Sequence, residues 1–277
     1  MFETLLEPFQ YSFMIRAFIG TGIIAVVAAV VGTFVVLKGL AFMGDAIAHT
    51  TFTGIAFALL IGVNIYFGAL VFALITALGV VFLTRVTKVK DDTALAILFT
   101  GVFALGIIIL AALPGFAGDL NSLLLGSVMA IQSREIWLII GVAVLIGIMM
   151  WVFFSRFVFA AFDPVGAEAA GFPVAFFQSL LLAAVAVAIV ISIQAVGVIL
   201  VVALLITPAA TGSLVTKRIG PLMAVAAGNG LLSAFGGLYI SYYLGAPPGA
   251  TVVLVATALF AVTLVISKLY SGIKAFG

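Results

Sequence analysis

Polar residues in this chain fall in clusters separated by apolar runs of about twenty residues, the length that crosses a bilayer as a helix. The runs cover 13–37, 40–62, 65–84, 93–113, 135–154, 174–192, 195–215, 221–244 and 249–267. They are continuous in Leu, Ile, Val and Ala. A membrane barrel would instead show short strands of alternating polarity, so the pattern predicts helices. Residues 1–12, with Glu3, Glu7 and Pro8 among Phe and Leu, predict an interfacial lead-in. Between 114 and 134 the apolar part, Leu123 to Ile131, is too short to cross and predicts a re-entrant or interfacial helix. The count is about nine spans, give or take one, in a single all-α, polytopic membrane domain over 1–277.

Composition removes the soluble alternatives. The chain is 66% hydrophobic and 7% charged, against about 45–50% and about 25% in soluble domains. Cysteine is absent, which excludes disulfides, thiolate metal ligands and thiol catalysis. The first apolar run is longer than a signal-peptide core and follows acidic rather than basic residues, so no cleavable signal is expected. The net charge of +2 says less than its placement. Lys38, the group Arg85, Lys88 and Lys90, then Arg156, the pair Lys217 and Arg218, and Lys268 with Lys274 fall at alternate connections. The positive-inside rule assigns these to the cytoplasm, with the C-terminus inside and the N-terminus outside. Arg16 and Arg134 break the alternation, and both are expected to snorkel to an interface. Ala69, Ala73 and Ala77, and Ala224 with Gly228, recur at helical spacing and are expected to serve close helix packing.

The second run contains the stretch Gly44 to Gly54, GDAIAHTTFTG, with Asp45 and the only histidine, His49. At i and i+4 they share one helix face. Counted from Lys38, His49 lies about 16 Å along the helix, near the middle of a hydrocarbon core about 30 Å thick. Thr50, Thr51 and Thr53 add hydroxyls nearby. A charge at that depth costs about 2.5–3.5 kcal/mol, so such residues mark function by default. Three readings remain open: a mutually satisfied packing pair, a proton relay, and a site for Mn, Zn or Fe(II), which carboxylate and imidazole suit. One helix supplies two ligands, and a two-fold dimer with its axis beside this span would supply four.

Two further features carry weight. Asp163 and Pro164 make a helix start, as N-cap and first helical residue, and Gly171 with Pro173 makes a stop. The segment DPVGAEAAG is therefore a short capped helix containing Gly166 and Glu168, in a long cytoplasmic connection over 155–178. Thr207-Pro208 interrupts the seventh run. Proline removes a backbone hydrogen bond there, which makes either a packing kink or a pathway-lining break.

The stretches LKGLAFMGDAIAHTTFTGIAFA (37–58), FDPVGAEAAGF (162–172), AVGVILVVALLITPAAT (195–211) and SYYLGAPPGATVVLVAT (241–257) resemble the manganese/zinc/iron branch of ABC importer permeases, in collinear order over nearly the whole chain. The resemblance implies a type II, vitamin B12-type importer fold with eight spans. It implies a homodimer, a separate cytoplasmic ATP-binding subunit, and an extracytoplasmic metal-binding protein that delivers Mn2+, Zn2+ or Fe2+. It associates Asp45 and His49 with the metal path. It makes Asp163, Pro164, Gly166, Glu168 and Gly171 the coupling helix that docks on the ATPase. No permanently bound cofactor and no nucleic-acid partner are implied; membrane lipid is.

The chain has no G-x-x-x-x-G-K-[ST] loop, so ATP hydrolysis is expected in a partner. A proton-coupled secondary metal transporter or channel working through Asp45 and His49 is the alternative. An intramembrane enzyme fits less well, because no H-E-x-x-H zinc site accompanies the pair.

Overall fold

The computed structural model of the protein describes residues 7–112 and 128–274. A 3-10 turn at Glu7–Gln10 leads into α1 (Ser12–Leu37), α2 (Ala41–Ile61), α3 (Ile65–Thr87) and α4 (Asp91–Ala112). A second 3-10 turn, Val128–Ala130, precedes α5 (Ser133–Phe162), the short α6 (Pro164–Ala169), α7 (Val174–Val196), α8 (Val198–Val215), α9 (Ile219–Leu244) and α10 (Pro248–Lys274). Among the described residues, nine helices are long and apolar enough to cross a membrane. That is the hydropathy count, not the eight implied by resemblance. Residues 1–6 of the expected 1–12 lead-in, and most of the expected re-entrant segment within 114–134, lie outside the described residues.

The boundaries follow local chemistry. Gly62 and Gly245 adopt left-handed conformations and end α2 and α9. The fifth helix is longer than its hydropathy predicts, because nothing breaks it before Asp163 and Pro164. Arg156 therefore lies inside α5 rather than in a connection. Its guanidinium sits 5.5 Å from the Phe153 ring centre and 5.8 Å from that of Phe177, a cation–π arrangement that makes the charge tolerable against aromatic surface.

Contacts between distant residues fix which helix ends lie together. Tyr66 at the start of α3 reaches Glu135 at the start of α5, and Tyr242 near the end of α9 reaches Glu7. At the other end Arg85 meets Glu168, and Ser267 donates to the Leu214 carbonyl. The chain thus crosses back and forth, and Lys38, Arg85, Lys88, Lys90, Lys217, Arg218 and Lys268 share one end, called here the basic end. Arg16 has a defined partner across the fold. Its Nε donates to the Ile131 carbonyl at 2.9 Å and ties α1 to the segment before α5.

In lipid, packing rather than hydrophobic burial holds helices together. α1 is central, against α5, α7, α8 and α9, while α2 lies between α3 and α4 and touches α7 and α8. The α2–α3 crossing is a backbone contact: a Cβ on Gly54 would fall 2.2 Å from the Gly68 carbonyl oxygen. Ala69, Ala73 and Ala77 are buried on the same side of α3, as expected. Ala224 and Gly228 do not behave as expected. Ala224 is exposed and Gly228 has open space where a Cβ would stand. Ala226, Gly230, Ala234 and Gly237 form the buried face of α9 instead.

Candidate metal site and coupling helix

α2 carries Asp45 and His49 one turn apart, with His49 the deeper of the two. His49 stands about 12 Å from the Ala41 end and about 18 Å from the Ile61 end at helical rise. The imidazole Nδ1 is 2.9 Å from the Asp45 backbone oxygen and 3.4 Å from its carboxylate Oδ1. A carbonyl only accepts, so Nδ1 carries the hydrogen and donates. The lone pair is thereby left on Nε2, the nitrogen available to a metal or a proton. Phe52, Phe99 and Phe103 stand edge-on to the imidazole, with ring centres 6.1, 5.9 and 5.7 Å away. Two of these come from α4, which walls the ring and restricts its rotation.

The pair faces out of the protomer. The Asp45 side chain is 47% exposed and that of His49 27%, and Phe42, one turn before Asp45, is also exposed. The threonines face the other way. Thr50 and Thr51 donate to their own helix at Ile47 and Ala48, Thr53 donates to the Val102 carbonyl of α4, and Thr76 donates to Thr50. Their hydroxyls are spent on packing and are not ligands of the pair. Among the described residues no group of three or more His, Asp or Glu side chains could hold a metal ion. One protomer brings together a single carboxylate and a single imidazole here.

Beside the pair, a cavity of about 340 Å³ between α2 and α4 is lined by Asp45, Phe42, Asp92, Leu95, Phe99 and two alanines. Asp92 lies just ahead of the apolar run 93–113 and carries no motif of its own. Its signal is spacing: Asp92, Ala96, Phe99 and Phe103 recur at i, i+4, i+7 and i+11, one face of a helix.

At the basic end α6 forms as its caps dictate. Asp163 Oδ1 accepts from the Gly166 amide at 2.9 Å, Pro164 takes the first helical position, and Gly171 turns left-handed at φ +75°. A Cβ on Gly166 would fall 2.2 Å from the capping carboxylate, so a larger residue there displaces the cap. Glu168 Oε1 lies 3.6 Å from Arg85 Nη2 of α3. Ala167 is buried, whereas Val165 is 79% exposed and Phe162 is exposed beside it. Pro208 is buried within α8, next to Leu205. A Cβ on Gly32 of α1 would fall inside contact distance of the Leu205 carbonyl oxygen. Thr211 donates to the Thr207 carbonyl. The proline thus sits where α8 and α1 backbones meet.

Residues 10–267 match the ABC 3 transport family. The chain belongs to that family. Listeria monocytogenes has a relative named manganese transport system membrane protein MntC. It is 39% identical over 251 residues, covering 91% of this chain and 89% of that protein. A Haemophilus influenzae relative named "Probable iron transport system membrane protein" is 35% identical over 271 residues, covering 97% and 99%. Among solved structures, PsaBC from Streptococcus pneumoniae in complex with Fab aligns with a TM-score of 0.82 at 32% identity, over 94% of each chain. As an ABC 3 family member with nine apolar helices among its described residues, the chain is a multi-pass membrane permease of an ABC transport system.

Proposed function

We propose that this permease carries a divalent transition metal into the cell, manganese first, with zinc and iron(II) accepted by the same ligands. The observation that carries the reading is the outward-facing half-shell of Asp45 and His49 within a spanning helix, with Nε2 free. A carboxylate and an imidazole from each of two copies make a four-ligand site of hard and borderline donors. The working unit is a homodimer joined beside α2. The bound dication offsets the repulsion between the two carboxylates.

The basic end is the cytoplasmic side, with the C-terminus inside. There a separate ATP-hydrolysing subunit docks on α6, guided by Asp163, Pro164, Gly166, Glu168 and Gly171 and contacting exposed Val165. An extracytoplasmic metal-binding protein delivers the ion at the opposite end. Thr207-Pro208 supplies the flexible point at which α8 moves against α1. The names of the manganese and iron transport relatives support the cargo class.

The test uses the permease assembled with its ATPase in proteoliposomes. Asp45→Ala and His49→Ala should each lose ATP-driven Mn2+ uptake while insertion and assembly persist. Phe42→Cys, on the same exposed stripe, should cross-link between two copies. Wild-type uptake rates in both alanine variants would refute the metal site. Uptake that follows a proton gradient and ignores ATP would instead favour the proton-coupled carrier.

A further inference from the structure

The cavity between α2 and α4 joins Asp45 to a second carboxylate that the half-shell does not use. Asp45 lies about 6 Å along α2 from its basic end, and Asp92 lies in the first turn of α4 at that same end. From the basic end inward the order is Asp92, Asp45, His49. Apart from the two carboxylates, the about 340 Å³ space is walled by Phe42, Leu95, Phe99 and alanines. Asp92 is exposed and has no ion-pair partner among the described residues. Its neighbour Asp91 interacts with Lys38. Asp91 therefore already supplies the acidic residue that a helix N-terminus favours, and Asp92 opens on the cavity instead.

We propose that Asp92 is the next ligand for the dication after Asp45 and His49, a transient oxygen station at the basic end of the path. This rests on the transport reading above. A dication leaving Asp45 must pass an apolar wall and then the field of Lys38, Arg85, Lys88 and Lys90 at the same end. A lone carboxylate in the wall lowers that barrier. One carboxylate completed by water also holds the ion weakly, as release requires.

The absence of cysteine makes residue 92 addressable by thiol chemistry. The experiment measures ATP-driven Mn2+ uptake by the reconstituted complex, with a cysteine-free ATPase partner. Asp92→Asn keeps the side-chain volume. It should slow uptake about 10–100-fold while Mn2+ binding at Asp45 and His49 and complex assembly are retained. Asp92→Cys should be similarly slow. A methanethiosulfonate reagent carrying a sulfonate should restore part of the rate, and one carrying a quaternary ammonium should remove what remains. Wild-type uptake by Asp92→Asn, or equal effects of the two reagents, would overturn the role given to Asp92 and leave the transport reading intact. Wild-type uptake in Asp45→Ala would overturn the metal path through Asp45, and no ATP-driven Mn2+ uptake by the unmodified complex would overturn the transport reading; either result removes this inference with it.

Discussion

Gly54→Ala tests whether the site helix is held by backbone contact. The added Cβ would stand 2.2 Å from the Gly68 oxygen, 2.6 Å from its carbonyl carbon and 2.9 Å from Ala69 Cα. All three are backbone atoms, so no side-chain rotation relieves the clash. Reaching an ordinary contact of 3.4 Å requires α2 and α3 to part by 3.4 − 2.2 = 1.2 Å. Overpacking on this scale costs about 1–3 kcal/mol. His49 lies five residues away on the same helix, about 7.5 Å, and ligand geometry tolerates about 0.5 Å of error. Gly141→Ala is the control, because a Cβ there meets open space. In a helix interior Gly→Ala alone stabilises by about 1 kcal/mol, so the two variants should move in opposite directions. Thermal unfolding of the purified permease measures the first effect, and Mn2+ uptake by the reconstituted complex measures the second. Gly54→Ala should unfold earlier and transport more slowly, and Gly141→Ala should do neither. Equal stability of the two would show that the α2–α3 crossing is not a tight contact.

Four further outcomes are expected. Val165→Glu should weaken ATPase binding measured by co-purification without altering permease stability, whereas Gly166→Ala should displace the Asp163 cap and cost about 0.5–2 kcal/mol of local helix stability. Metal binding followed by calorimetry should weaken as pH falls, since one proton per imidazole competes for Nε2. Burial lowers the pKa of the Lys38 ammonium, with Asp91 opposing. The charged form is therefore penalised in the fold, and permease stability should rise as pH climbs through the lowered pKa towards 10.5; Lys38→Gln should abolish that rise. A cysteine at Ala246 should react with an impermeant reagent from outside the cell, and one at Lys217 only after permeabilisation; the reverse would invert the orientation.

Spans, α6 and the Asp45–His49 pair were legible because each rests on local chemistry. Apolar length, an Asp-Pro start, a Gly stop and an i, i+4 spacing are all visible within a few residues. Alternation of the basic connections also held, since Tyr66–Glu135 and Arg85–Glu168 join the ends that it groups. What was not legible depends on neighbours distant in sequence. Arg16 shows no partner in the sequence; the fold supplies one, the Ile131 carbonyl 115 residues away. Ala224 and Gly228 have the spacing of a packing stripe but sit on the wrong face of α9. Phe99, Phe103 and Asp92 look like ordinary span residues. Only the packing of α4 on α2 sets them around the pair.

The stretch from Gly44 to Gly54 combines two kinds of demand on one helix. Polar residues in a span cost free energy unless they have partners, and this segment holds Asp45, His49, Thr50, Thr51 and Thr53 within nine positions. The threonines meet the cost through bonds within α2 and to α3 and α4, on the faces where Gly54 lets the neighbouring backbone approach. They clamp the helix. His49 meets part of its cost through the Asp45 backbone oxygen, which also directs Nε2. Among the described residues the Asp45 carboxylate has an ion-pair contact with the imidazole alone, and it stays 47% exposed. Its remaining lone pairs are the one strong acceptor set in the stretch that packing does not satisfy. A carboxylate left open there, on a helix otherwise so fully partnered, is what a dication would be needed to complete.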